Sequence, residues 1–123
     1  MITLQVIQDG KVLFRSEKRW LLPLFDLEDY ITRHPVEMPL VEVHDKVIGK
    51  AAALLIVRIG AGSAHADVIS KLARAVFDQA SIPYIFSTLV EKIDCHTEEI
   101  LSEVDDPDTA YHILRKCAGR DTE

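Results

Sequence analysis

Hydrophobic and polar positions alternate first with a strand period. Ile2-Thr3-Leu4-Gln5-Val6-Ile7 is rich in β-branched and apolar residues, Asp9-Gly10 follows, and Lys11-Val12-Leu13-Phe14-Arg15-Ser16 repeats the pattern. Two such runs across an Asp-Gly turn predict a β-hairpin, with Val12 and Phe14 alternating against polar neighbours. The period then becomes helical. Pro23 opens a helix whose Leu24, Phe25, Leu27 and Ile31 recur at three- and four-residue steps to about Arg33, and His34-Pro35 ends it. Residues 35–43, with Pro39 inside, read as irregular.

The next pattern is apolar almost all round. Asp45 is placed as an N-cap, followed by Val47, Ile48, Ala51, Ala52, Leu54, Leu55 and Val57, with Gly60 closing the helix. A helix without a polar face belongs in the core. Ala64 to Ile69 is then a short strand, Ser70 caps a helix from Lys71 to Gln79, and Pro83-Tyr84-Ile85-Phe86 is another strand. A helix joining two strands through short connections predicts a parallel crossover. Thr97 opens a helix to about Val104, and Asp106-Pro107 starts the last one, to Lys116. The expectation is a single α/β domain over residues 1–117: a mixed sheet of four or five strands with helices on both faces, and a disordered tail at 118–123.

Composition bounds the function. The 123 residues are 48% hydrophobic, enough for one core, and carry a net charge of −6 with a pI near 5.3. An acidic chain argues against an extended phosphate-tracking surface for nucleic acid. Cys95 and Cys117 form no CxxC pair and no disulfide framework. Without a signal peptide or an apolar run long enough to span a bilayer, a cytoplasmic protein with no membrane partner is expected.

The candidate chemistry centres on Lys50, a lysine set in the apolar helix beside Gly49. One reading is an ammonium at a pocket floor, aimed at an anion or carbonyl; the other is a stem packed on the core with its head in water. Asp45 and Lys46 at the helix start, and Ser70 with Lys71 at the exit of a central strand, are positions where backbone N–H groups and a cation hold an anion. Cys95 precedes a helix start, which lowers a thiol pKa. Gly60-Ala61-Gly62-Ser63-Ala64-His65 lacks the third glycine and the strand-to-helix order of a dinucleotide fingerprint. His65-Ala66-Asp67 has no P-C-x-x-C to complete a deaminase-type zinc site. No metal and no cofactor are expected.

Asp45-Lys46-Val47-Ile48-Gly49-Lys50-Ala51-Ala52-Ala53-Leu54-Leu55, with Ala66-Asp67-Val68-Ile69-Ser70-Lys71, Cys95 and Asp105-Asp106-Pro107, resembles the uncharacterised family called DUF1893 over most of the chain. The resemblance implies a cytidine deaminase-like three-layer α/β/α fold. It registers Gly49-Lys50-Ala51 and Ser70-Lys71 where that fold carries its two zinc motifs, so that lysines replace the metal. The loop before Cys95 is shorter than the family pattern. Together these readings give a metal-free small-molecule site, nucleotide-like or anionic in its ligand. Lys50 is its catalytic candidate, and Asp45, Lys46, Gly49, Ser70, Lys71 and Cys95 are ligand contacts. The alternative is a non-catalytic ligand-binding or protein-interaction domain, a homodimer through the hairpin edge.

Overall fold

A computed structural model describes residues 1–93 and 96–117. The hairpin forms as its turn chemistry dictates. Strands β1 (Leu4–Gln8) and β2 (Lys11–Ser16) are joined by Asp9 and Gly10, both with positive φ, at 53° and 77°. That pair of left-handed residues matches the twist of the two strands. The register shifts between Val6 and Ile7, so Leu13 is accommodated as an extra residue.

Helix α1 (Leu22–Arg33) carries its proline in the first turn and buries Pro23, Leu24, Phe25 and Leu27. A short 3-10 turn at Met38–Leu40 leads into β3 (Glu42–Ile48). Here the sequence expectation is corrected. Residues 45–48 are strand, Asp45 caps nothing, and the helix α2 (Lys50–Arg58) begins with Gly49 in extended conformation as its N-cap. The polar run Glu42-Val43-His44-Asp45-Lys46 hides a central strand, which is hydrogen-bonded on one side to β1 and on the other to β4 (Ser63–Ser70). Ladder bonds on both edges outweigh the helical spacing of Val47 and Ile48 with the alanines beyond.

Ser70 caps α3 (Lys71–Ala80) as expected, its Oγ accepting the Ala73 N–H at 3.1 Å. The remaining elements are β5 (Tyr84–Val90), α4 (His96–Ile100) and α5 (Pro107–Cys117). Gly62 lies where the chain packs backbone to backbone: an added Cβ would stand 2.1 Å from the Pro39 carbonyl oxygen, while the Gly62 N–H donates to Val41 O at 3.0 Å. Cys95 and the tail at 118–123 lie outside the described residues.

The five strands lie in the order β2-β1-β3-β4-β5, with β1 antiparallel to both neighbours and β3, β4 and β5 parallel. The connections β2-α1-β3, β3-α2-β4 and β4-α3-β5 therefore all step the same way across the sheet. Right-handed crossovers in one direction place their helices on one face. The contacts agree. Phe14, Tyr30, Phe25 and Tyr111 link β2, α1 and α5 through ring contacts, and Phe77 of α3 meets Tyr84 of β5. Residues Lys50 to Ile56 of α2 are buried because the sheet, α3 and α5 surround the helix.

The three-layer sandwich with helices on both faces is thus not formed among the described residues. Gln5, His44, His65 and Ile85 stand side by side across four strands on the opposite face, partly exposed, with Ile85 58% exposed. That row is mostly polar, so it gains little by being covered. No described helix is long and apolar enough to cross a membrane.

Candidate functional site

One cavity opens on the helix side of the sheet, at the carboxyl end of β3 and the start of α2. Open α/β sheets place ligands outside the carboxyl ends of their strands, and here that end is shared with β1, which runs antiparallel to β3. The cavity has a volume of about 260 Å³. Val47, Gly49, Ala51, Ala52, Leu21, Trp20 and Ile93 give it an apolar lining, and Thr3, Thr97, Lys18, Arg19, Asp45 and Lys46 its polar groups.

Asp45 reaches this cavity because it shares a strand face with Val43, opposite Leu4 of β1. Both neighbours belong to the core, so the carboxyl is drawn inward with them. Burial pushes the Asp45 carboxyl up to about 7; backbone N–H donation from Lys46 and Val47 pulls the other way, and the Asp67 charge adds to the rise. Perturbed carboxyls in clefts are recurrent marks of functional sites.

Trp20 is the second unusual group. It has φ 60°, a left-handed backbone that a bulky residue adopts only under constraint, and its indole packs edge-on to Phe25 at 6.3 Å between ring centroids. Such a conformation costs on the order of 1–3 kcal/mol and tends to be kept where function requires it. Trp20 stays 43% exposed and presents an aromatic surface in the cavity lining.

The lysine at the centre of the sequence reading points elsewhere. Lys50 is the first residue of α2 and is buried, but its Nζ donates to the Leu101 carbonyl at 2.7 Å and stands 3.1 Å from Asp105 Oδ1. The head is neither in water nor in the cavity; it ties α2 to the chain between α4 and α5. Ser70 is buried as the α3 cap, and Lys71 pairs on the surface with Glu91 at 2.9 Å. Lys50, Ser70 and Lys71 do not line the cavity.

Of the expected contacts, Asp45, Lys46 and Gly49 therefore line one cavity. Trp20, Arg19 and Thr97 were not anticipated, because the loop before α1 and the start of α4 carry no local motif. Trp20, the chain's single tryptophan, is a signal only once its place beside a strand end is known.

Two comparisons place the chain among known proteins. A crystal structure of a DUF1893 family protein from Thermotoga maritima matches with a TM-score of 0.83 at 24% sequence identity, over 94% of this chain and 80% of that one. At that identity the likeness shows the fold alone. No curated protein matches the chain. Residues 3–117 match the sequence family described as a domain of unknown function (DUF1893), and with nearly the whole chain covered, it belongs to the DUF1893 family.

Proposed function

We propose that this chain is a small-molecule-binding domain whose site is the cavity at the end of β3, centred on Asp45 and not on Lys50. The observation that carries the reading is the placement of Asp45: a carboxyl in the wall of an apolar cavity of about 260 Å³, at the strand end where this architecture collects ligands. The Asp45 carboxyl already accepts from the Lys46 and Val47 backbone N–H groups, and its remaining acceptor capacity suits a ligand edge presenting an N–H donor. The exposed indole of Trp20 offers a face for stacking a planar ring. Arg19 and Lys46 stand exposed at the rim as cations for an anionic substituent. These features together favour a nucleoside- or nucleotide-like ligand.

The deaminase-like kinship belongs to the same proposal. Helices α2 and α3 each begin directly after a parallel strand, and each begins with a lysine, Lys50 and Lys71. Those are the positions the resemblance registers with the two zinc motifs. In this reading the ion pairs of Lys50 with Asp105 and Lys71 with Glu91 stand where the metal ligands stood, and the ligand site lies beside them.

Trp20 reports directly on the cavity. Titration with nucleosides, nucleoside monophosphates and inorganic phosphate is expected to give a saturable change in tryptophan emission with one of these classes. Asp45→Asn is expected to weaken that binding at least about tenfold, the scale of one buried hydrogen-bonded group, with no loss in melting temperature. Emission and melting curves indifferent to every class, or equal binding by Asp45→Asn, would remove the proposal.

A second reading, an interaction domain, is favoured by the sheet edges. The outer strand β5 leaves Ile85 58% and Phe86 37% exposed, and β2 at the other edge leaves Val12 48% exposed. Open edges with apolar side chains invite pairing with another chain. Concentration-dependent dimerisation in sedimentation, abolished by Ile85→Lys, is the outcome this reading requires.

A further inference from the structure

The exposed face of the sheet carries a cluster that the cavity does not use. Glu42 and His44 are two residues apart on β3 and so project from the same face. His65 of β4 is the direct cross-strand neighbour of His44 in the parallel register. The two imidazoles lie 4.6 Å apart between centroids, inclined at 64°. One carboxylate oxygen of Glu42 and one ring nitrogen from each histidine all lie within 4.8 Å of one another, and all three residues are half-buried.

One atom in the cluster is unsatisfied. His44 Nε2 is buried and receives or makes no hydrogen bond; Glu42 Oε1 is 2.9 Å away but off the direction that a ring N–H requires. Buried ring nitrogens without a partner are uncommon. The ring nitrogen and the carboxylate oxygen thus stand 2.9 Å apart with no hydrogen bond between them, a pairing that a shared cation would satisfy.

We propose that Glu42, His44 and His65 form a binding site for one borderline divalent cation of the zinc class. Two neutral imidazoles and a carboxylate suit Zn²⁺, Co²⁺ and Ni²⁺ and are poor for Mg²⁺ and Ca²⁺, which prefer all-oxygen shells. Ligand atoms around a tetrahedral ion with bonds of about 2.0–2.1 Å are roughly 3.3 Å apart, so the three side chains need only rotate inward on rigid, paired strands. The open side of the sheet leaves the remaining coordination positions to water or to a ligand group. None of the three residues lines the cavity of about 260 Å³, although His44 and His65 share a second cavity of about 230 Å³ with Asp45 and Lys46. The His65-Ala66-Asp67 triplet fails as a deaminase motif, yet its histidine is a ligand here with partners from β3.

The test uses the full chain, freed of metal by chelation and titrated with Zn²⁺ by calorimetry. Parallel titration with Co²⁺ reads the coordination from the visible spectrum. One equivalent is expected, with the intense bands of four- or five-coordinate Co²⁺, no thiolate charge-transfer band, and a Zn²⁺-dependent rise in melting temperature. Glu42→Gln and His65→Ala each weaken Zn²⁺ binding at least about tenfold, since even outer-shell changes act on that scale. Both positions are outside the core, and circular dichroism checks that each variant folds. A six-coordinate Co²⁺ spectrum, less than one equivalent of Zn²⁺, or unchanged affinity in both variants would overturn the site.

Discussion

The Lys50 ammonium donates to the Leu101 carbonyl oxygen across 2.7 Å. One buried side chain thereby fastens the first turn of the most enclosed helix to the end of α4, with the exposed Asp105 carboxylate closing the arrangement at 3.1 Å. A hydrogen bond from a charged donor to a buried carbonyl contributes about 1.5–3 kcal/mol. Lys50→Ala, which also removes the packed stem, is expected to lower unfolding free energy by about 2–4 kcal/mol. Lys50→Met keeps the stem and costs less. Asp105→Ala stays within about 1 kcal/mol, because that carboxylate is 77% exposed. Denaturant unfolding measures all three. Ligand titration followed by Trp20 emission should match wild type in folded Lys50→Met; lost binding there would return the site to Lys50.

The backbone contact at Gly62 gives a sharper prediction. Its missing Cβ is replaced in space by the Pro39 carbonyl, 2.1 Å from where the carbon would sit. Backbone held by neighbouring pairing cannot yield as a flexible side chain does. Gly62→Ala should destabilise by about 3 kcal/mol or more, at the upper end of overpacking effects, with the loss visible as a lowered denaturation midpoint. A midpoint within error of wild type would show that the segment at 38–41 shifts freely.

How far the fold is legible in the sequence depends on whether its signals are local. The hairpin is legible because Asp9-Gly10 dictates its turn, and α3 because Ser70 and an amphipathic face coincide. Strand β3 is not. Its side chains from Glu42 to Lys46 mix polar groups on both faces, and its last two residues merge with the apolar pattern of α2. The one-sided stacking of helices follows from the order of strands, which no local pattern encodes. The site shows the same division. Asp45, Lys46 and Gly49 are adjacent in sequence and line one cavity, whereas Trp20 and Thr97 join them only through the tertiary fold. Lys50 and Lys71 stand out by composition, but each is taken up by a nearby oxygen acceptor. The pairing of His44 with His65 requires the parallel register of β3 and β4, which neither strand states alone.

Asp106 sets the pH dependence of the last helix. Its Oδ2 accepts the Thr109 N–H at 2.9 Å and the Thr109 hydroxyl at 2.7 Å, and these bonds hold its carboxyl below the ordinary value. A carboxyl lowered in the folded state stabilises fully above its ordinary range, and that contribution disappears as pH falls through the lowered value. Asp106→Ala should therefore reduce the melting temperature by about a few degrees at neutral pH, with the gap from wild type closing in acid. A gap independent of pH would assign the effect to helix propensity.

Arg58 offers the strictest test of how the helices are held on one face. At the end of α2 its guanidinium pairs with Glu28 of α1 and, at 2.9 Å, with Asp108 of α5, and it lies 3.6 Å over the Tyr111 ring. Three elements thus converge on one planar cation. Glu28 and Arg58 are only 16% and 24% exposed, whereas Asp108 is 75% exposed, so the Glu28 and Tyr111 contacts carry most of the effect. Lysine keeps the charge but cannot stack flat on the ring while bonding two carboxylates in its plane. Arg58→Lys should cost about 1–2 kcal/mol and Arg58→Ala about 2–3 kcal/mol, the latter leaving Glu28 in a protected position without its cation. A double-mutant cycle with Tyr111→Leu separates the stacking from the ion pair. Additive losses at Arg58 and Tyr111 would mean that the ring and the guanidinium are adjacent without interacting, leaving the Asp108 ion pair as the polar link from Arg58 to α5.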